Sequence, residues 1–187
     1  MGLFLMGASS LMRICEDYKA PELVIPDDPQ SVVKEVENPF HEDSEGEESA
    51  EYYTGNFKVT ASGSQTGNPA SALFDGDYSG ADGKRWAVNG FPATAWVQAD
   101  FGETVTINKV AVAPNSSRDY RYIIQVSTDG TNWTTVVDRS NNTEAKALIT
   151  DSFNAISARY IKITLTGAAT YSGEWYNINE LFIYKAQ

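Results

Sequence analysis

The chain of 187 residues is poor in the residues that most chemistry needs. Its single cysteine, Cys15, excludes an internal disulfide and offers no zinc-type spacing, so any core must be held by packing, with or without a bound ion. Its single histidine, His41, lies in an acidic stretch, away from the apolar part of the chain, which leaves that part without an imidazole base. Basic residues are scarce, 14 Lys and Arg against 25 Asp and Glu, for a net charge of −11. Phosphate backbones require clustered cations, so nucleic acid is excluded as a partner. No apolar run approaches the ~20 residues of a transmembrane helix.

The charge is not spread evenly. Residues 16–51 hold thirteen acidic and two basic side chains, whereas residues 52–187 hold twelve and eleven. The acidic stretch also carries Pro21, Pro26, Pro29 and Pro39 and ends in HEDSEGEES, the composition of an extended arm or linker. It reads either as a solvated spacer or as an arm that orders against a larger assembly. Residues 1–15, MGLFLMGASSLMRIC, are apolar, but a signal peptide is unconvincing. There is no basic start, the only charge (Arg13) follows the apolar run, and Ile14 stands where a lipoprotein signal needs a small residue. Three readings stay open: a cleaved targeting peptide, a peptide that docks on a protein partner, or a disordered end. The expected organisation is therefore a docking or targeting peptide at 1–15, an acidic arm at 16–51 and a folded domain at 52–187, extracellular or displayed on the surface of an assembly.

From Phe57 onward, short alternating runs separated by Gly, Asn, Asp and Pro predict an all-β domain. Val97, Ala99 and Phe101 share one face, with Gln98 and Asp100 on the other. Val105 and Ile107 are out of phase with Val110 and Val112, which predicts a bulge near Asn108–Lys109. Tyr122, Ile124 and Val126 form an inward set that ends at a tight turn with Asp129-Gly130, and Arg159–Leu165 alternates throughout. Leu181 and Ile183 close the chain, and only Asn68–Phe74 looks briefly helical. With no helix to cover a parallel sheet, the expected architecture is a jelly-roll β-sandwich of about eight antiparallel strands, preceded by the acidic arm.

An ordered set of segments carries a resemblance: Asn68–Gly76 (NPASALFDG), Arg85-Trp86, Trp96–Gly102 (WVQADFG), Val126–Trp133 (VSTDGTNW), Ala158–Ile163 (ARYIKI) and Asn179–Leu181 (NEL). In this order they resemble the discoidin, or coagulation factor V/VIII C-type, domains, and among these the family 32 carbohydrate-binding modules. The resemblance covers 56–184 and implies a jelly-roll sandwich. It implies function less narrowly, because that fold serves lectins, lipid binders and adhesion domains. Most of the shared residues are expected to be structural: Trp96 and Trp133 as core anchors, Arg85-Trp86 as a packed pair, Asp100 at a strand-to-turn transition.

Asp75, Asp77 and Asp82 are crowded into the loop FDGDYSGADG, and such carboxylates repel unless a cation or basic groups intervene. A hard ion such as Ca2+ takes six to eight oxygens, which a loop of this kind supplies from side chains and backbone. The resemblance implies completion by a Glu before the last strand, matching Glu180; Asp75 and Glu180 are the leading ligands, then Asp77, with Ser79 or Asp82 as the further donor. The alternative is a solvated turn whose aspartates cap backbone amides.

Sugars are held by an aromatic face against C–H groups and by planar amides or guanidinium on hydroxyls. Three loops offer that mixture: 87–94 with Asn89 and Phe91, 114–120 with Asn115, Arg118 and Tyr120, and 168–177 with Tyr171, Glu174, Trp175 and Tyr176. Trp175 is the leading candidate, against the alternative of packing beneath its own loop; Arg118 either clamps hydroxyls or pairs with Asp119. The resemblance implies a histidine in this pocket for many galactose-binding members; the only histidine here is His41, outside the domain, which puts galactose specificity in doubt. The expected function is a non-catalytic glycan-binding module displayed through its arm. The competing readings are a structural decoration protein of a virion-like assembly whose arm enters a neighbouring subunit, and a lipid- or protein-binding adhesion domain with Phe91 as its hydrophobic spike.

Overall fold

The computed structural model describes residues 51–186 except Asn56, together with the backbone of residues 34–36. Val32–Gln187 is one compact unit; the expectations for residues 1–15, and for the acidic stretch apart from 34–36 and Glu51, lie outside the described residues. The described residues form nine strands: β1 Lys34–Val36, β2 Tyr52–Thr54, β3 Lys58–Ala61, β4 Trp86–Asn89, β5 Ala95–Pro114, β6 Tyr120–Ser127, β7 Thr134–Arg139, β8 Ile149–Ala168 and β9 Trp175–Lys185. Every pairing is antiparallel. Among the described residues the only helical pieces are 3-10 turns at Ala70–Phe74 and Asn115–Ser117, and no helix is long and apolar enough to cross a membrane.

The two long strands, β5 and β8, run through both layers of the sandwich. The first half of β5 pairs with β3 and with the second half of β8, which continues to β6 and β7. The second half of β5 pairs with the first half of β8 and with β9, whose other edge carries β4 and β2. The change of layer falls at the break in register between Asp100 and Val105. There Gly102 adopts φ +83 and donates its N–H to Asp100 Oδ1 at 2.8 Å, while Arg159 grips both Asp100 oxygens at 2.9 and 3.1 Å. The bulge expected near Asn108–Lys109 is present as the irregularity between Ile107 and Lys109, and it restores Val110 and Val112 to the interior.

The core is the alternating set. Val97, Ala99, Ile107, Tyr122, Ile124, Ile161, Ile163 and Leu165 are completely buried, each large side chain contributing on the order of 2 kcal/mol in transfer free energy against its ordering entropy. Trp86 is the buried tryptophan, with Nε1 donating to the Gly63 carbonyl at 2.9 Å. Trp96 and Trp133 are not core anchors. Val97 and Ala99 fix the inward phase of β5, so Trp96 faces outward and is half-buried, and Trp133 lies beneath the Lys162 ammonium (4.2 Å) on the outside of the sheet. On the outside of the other layer Tyr52, Ala111, Phe182 and Tyr184 form a second small cluster, which is why Leu181–Tyr184 is buried on both faces.

One open edge of the sandwich is latched electrostatically. Arg139, the last residue of β7, makes a bidentate contact with Asp151 on β8 (2.7–3.0 Å), and Glu144 adds a second carboxylate at 3.4 Å. The buried Tyr122 hydroxyl senses these charges and has no hydrogen-bond partner among the described residues; burial first, then Asp151, raises its pKa.

Candidate functional site

The loops 89–94, 115–119 and 169–174 meet at one end of the sandwich, knitted together by backbone. Gly90 and Phe91 both donate their N–H to the Glu174 carbonyl (3.0 and 3.1 Å), and Ala169 N–H reaches the Asp119 carbonyl at 3.2 Å. Asn89 and Trp175 are direct cross-strand partners at the start of the β4–β9 ladder. Since Val88 and Tyr176, the next pair, face the core, Asn89 and Trp175 share the outward face. Phe91 packs edge-on against Tyr171 and Tyr176 (both 5.1 Å), and Tyr171 packs edge-on against Tyr120 (5.6 Å). This places Phe91 within an aromatic cluster, not on a spike. Tyr171 folds back over Gly173, where a Cβ would displace the hydroxyl end of the Tyr171 ring.

Tyr120 joins the pieces. It is completely buried, and its hydroxyl uses its full bonding capacity: it donates to the Trp175 carbonyl (3.1 Å) and accepts from Asn177 N–H (3.1 Å) and Arg118 Nη1 (2.9 Å). Arg118 also lies over the Tyr171 ring at 4.3 Å. The alternative pairing of Arg118 with Asp119 does not occur. Asp119 is buried, and its oxygens accept from Thr170 N (2.7 Å), Thr170 Oγ1 (2.6 Å) and Tyr171 N (3.2 Å). Burial opposes ionisation of this carboxyl, yet those bonds hold it below the ordinary carboxylate range. The sequence shows Tyr120 as an aromatic closing the 114–120 loop; its role as the junction rests on its bonds to Trp175 and Asn177, more than fifty residues away, which no local pattern encodes.

Five of the six expected ligand residues, Trp175, Arg118, Asn89, Phe91 and Tyr171, are therefore brought together. The sixth, Asn115, stands apart: its amide donates to Asn179 Oδ1 at 3.0 Å, and it packs against Gly80. The short turn that carries it holds Ser116 and Ser117 in the left-handed region (φ 56 and 52). The indole of Trp175 is half-buried and makes no hydrogen bond or ring contact among the described residues. Recesses away from the patch include one of about 250 Å³ between β3 and the Ala70–Phe74 turn and one of about 520 Å³ lined by Asp138–Glu144 and Asp151.

The expected metal ligands divide similarly. Glu180 is 1% exposed and accepts from Gly76 N (2.8 Å) and Leu181 N (3.1 Å). Burial, with Asp75 and Asp77 nearby, pushes its carboxyl up to about 9. Asp75 Oδ1 accepts Asp77 N–H (2.9 Å) and Asp77 Oδ1 accepts Ser79 N–H (3.0 Å), so both cap backbone amides as an Asx turn does. Lys84 bridges their other oxygens at 3.3 and 3.6 Å. Asp82 turns away to Arg85 (2.6 Å), which also holds the Gly80 carbonyl, and Ser79 Oγ accepts from Ala81 N–H. Among the described residues no three acidic, histidine or cysteine side chains converge tightly enough to hold a metal by themselves. Asp75, Asp77 and Glu180 together form an all-oxygen donor set of the kind a hard cation takes, and Lys84 supplies the positive charge on the outer oxygens of the two aspartates.

Comparison with known proteins fits this geometry. The F5/8 type C domain model matches residues 58–181. Among solved structures, the chain is 33% identical to the family 32 module of AlyQ in complex with 4,5-unsaturated mannuronic acid, covering 68% of this chain and 94% of that one (TM-score 0.54). It is 30% identical to chitosan-binding module 1 of a chitosanase/glucanase from Paenibacillus sp. IK-5, over 69% of this chain and 95% of that one (TM-score 0.58). A pectin-binding carbohydrate-binding module is 27% identical, with 69% and 90% covered (TM-score 0.54). No curated protein sequence matches at a significant level. The match of the family model over most of the chain, together with the shared sandwich, shows that this chain belongs to the F5/8 type C, or discoidin, domain family.

Proposed function

We propose that the chain is a non-catalytic glycan-binding module whose sugar site is the patch formed by Trp175, Arg118, Asn89, Tyr171 and Phe91. The observation that carries the reading is the pairing of an unengaged, half-exposed indole with an arginine fixed by a ring and a hydroxyl. An aromatic face desolvates against sugar C–H groups, while guanidinium and the Asn89 amide supply directional donors and acceptors to hydroxyls. The mannuronic acid, chitosan and pectin ligands named for the neighbouring structures support a saccharide as the ligand class here. A lipid-binding role loses its support, because Phe91 is engaged with Tyr171 and Tyr176.

The proposal includes Ca2+ beside Asp75, Asp77 and Glu180. The ion would neutralise three carboxylates and fix the loop that contacts Asn179 through the Tyr78 carbonyl (3.2 Å). It also includes display of the domain outside the cell through residues 1–51. The sequence supports this: an apolar peptide and an acidic arm precede an otherwise nearly neutral domain. A loop patch buries little ligand surface, so single sites bind weakly and repeated copies gain through effective concentration.

A glycan array probed with the intact chain and with Trp175→Ala tests the reading. Signal on a subset of glycans that the substitution abolishes is expected. An absence of signal with calcium present, or signal indifferent to Trp175, overturns it.

A further inference from the structure

Resting on the glycan-binding reading, we infer that the patch takes an acidic glycan, one whose sugars carry a carboxylate, and that Arg118 selects it.

Five arginines lie among the described residues. Arg85, Arg139 and Arg159 are each paired with a carboxylate, on Asp82, Asp151 and Asp100 respectively. Arg118 is not, although Asp119 follows it directly, because that carboxylate is consumed by Thr170 and Tyr171. Arg118 is nonetheless held in place. The Tyr171 ring covers one guanidinium face, and one Nη1–H is fixed on the Tyr120 hydroxyl. The remaining N–H groups, including the edge formed by Nε and Nη2, have no partner among the described residues. A planar, half-buried fork without a counter-ion matches a carboxylate in shape and charge and forms charge-assisted bonds with it. A neutral hydroxyl accepts single bonds from the fork but brings no opposite charge.

The competing feature is Glu174, which precedes Trp175, is exposed and joins no ion pair among the described residues; a carboxylate there would favour an amino sugar. The two charges are not equivalent. Glu174 sits in high dielectric on a free side chain and is screened by salt, whereas Arg118 is pre-organised against a ring where its field is less screened. The acidic ligand wins that comparison. Arg121 lies three residues further along, outside the aromatic cluster, without a carboxylate partner among the described residues and with its Nε buried, so replacing it removes the same charge away from the patch.

Calorimetric titration of the intact chain with oligogalacturonate, its methyl ester, and a chitosan oligomer tests the inference. The ester keeps the sugar skeleton and masks the carboxylate. At least tenfold tighter binding to the free acid than to the ester is expected, weakening with salt. Arg118→Gln should remove that preference, Arg118→Lys should retain part of it, and Arg121→Gln should leave it intact. Equal affinity for acid and ester, stronger binding to chitosan, or a preference that survives Arg118→Gln overturns the inference while leaving the glycan-binding reading in place. If none of the three saccharides binds, and a wider array also gives no signal, both fall together.

Discussion

Replacing Tyr120 with phenylalanine deletes one oxygen atom that holds Arg118, Asn177 and Trp175 in register. Replacing Tyr122, two residues further along the same strand, deletes an oxygen that holds nothing, since that hydroxyl is buried without a partner among the described residues. The chemistry of the two substitutions is identical, so their difference isolates hydrogen bonding. For Tyr120→Phe, the freed Asn177 N–H and Trp175 carbonyl recover water in part, because both residues are only half-buried. The expected cost is ~1–3 kcal/mol. For Tyr122→Phe, the desolvation cost of an unpaired hydroxyl disappears, so stability holds or rises by ~1 kcal/mol. For a domain of this size, each kcal/mol corresponds to roughly 3–5 °C in Tm. Urea and thermal unfolding followed by tryptophan fluorescence, with unchanged m-values, would read both. Tyr120→Phe should also weaken saccharide binding, because Arg118 loses its anchor, and Tyr122→Phe should not. Equal destabilisation by the two, or a larger loss at Tyr122, would refute the assignment of Tyr120 as the junction.

Breaking the edge latch by Arg139→Ala or Asp151→Asn should each cost ~1–3 kcal/mol, and a double-mutant cycle should return a coupling of about 1–2 kcal/mol; simple additivity would contradict the bidentate contact. The Asp100 carboxyl is held below its ordinary value, chiefly by its Arg159 bond. A depressed folded pKa gives stability that is present above the unfolded value near 4 and is lost as pH falls through the folded one. Asp100→Asn should therefore lower stability at pH 7 more than at pH 3 in urea unfolding, and an equal loss at both would rule the interaction out. Calcium at a hundred times its Kd should stabilise the intact chain by ~2.7 kcal/mol relative to chelator, and Glu180→Gln should erase the gain. A wild-type Tm indifferent to millimolar calcium would remove the ion from the account.

The fold was legible because inward residues repeat every second position, and because the one phase error, between Ile107 and Val110, sits where a bulge could correct it. The loops that form the patch were legible for a related reason: aromatics embedded in Gly- and Asn-rich segments stand out from strand patterns. What the sequence hid was partner choice. Trp96 reads as core by size, but its neighbours set the phase and turn it outward. Asn115 and Arg118 sit in one loop with equal claims on a ligand, yet Asn179 takes the first while Tyr120 and Tyr171 fix the second and leave its edge open. In the acidic loop, Lys84 and Arg85 are adjacent and opposite in effect. One bridges Asp75 and Asp77, the other draws Asp82 away. Such choices depend on contacts between segments up to a hundred residues apart, which local periodicity does not encode.

Where on the surface a saccharide docks is best measured by titrating the isotope-labelled intact chain with a bound oligosaccharide and following backbone amides and indole N–H groups by NMR. The account predicts the largest shifts at the Trp175 indole, Asn89, Arg118 and Tyr171, with the Trp86 indole unmoved. Shifts centred on the recess beside Ala70–Phe74, or on that lined by Arg139 and Asp151, would contradict it.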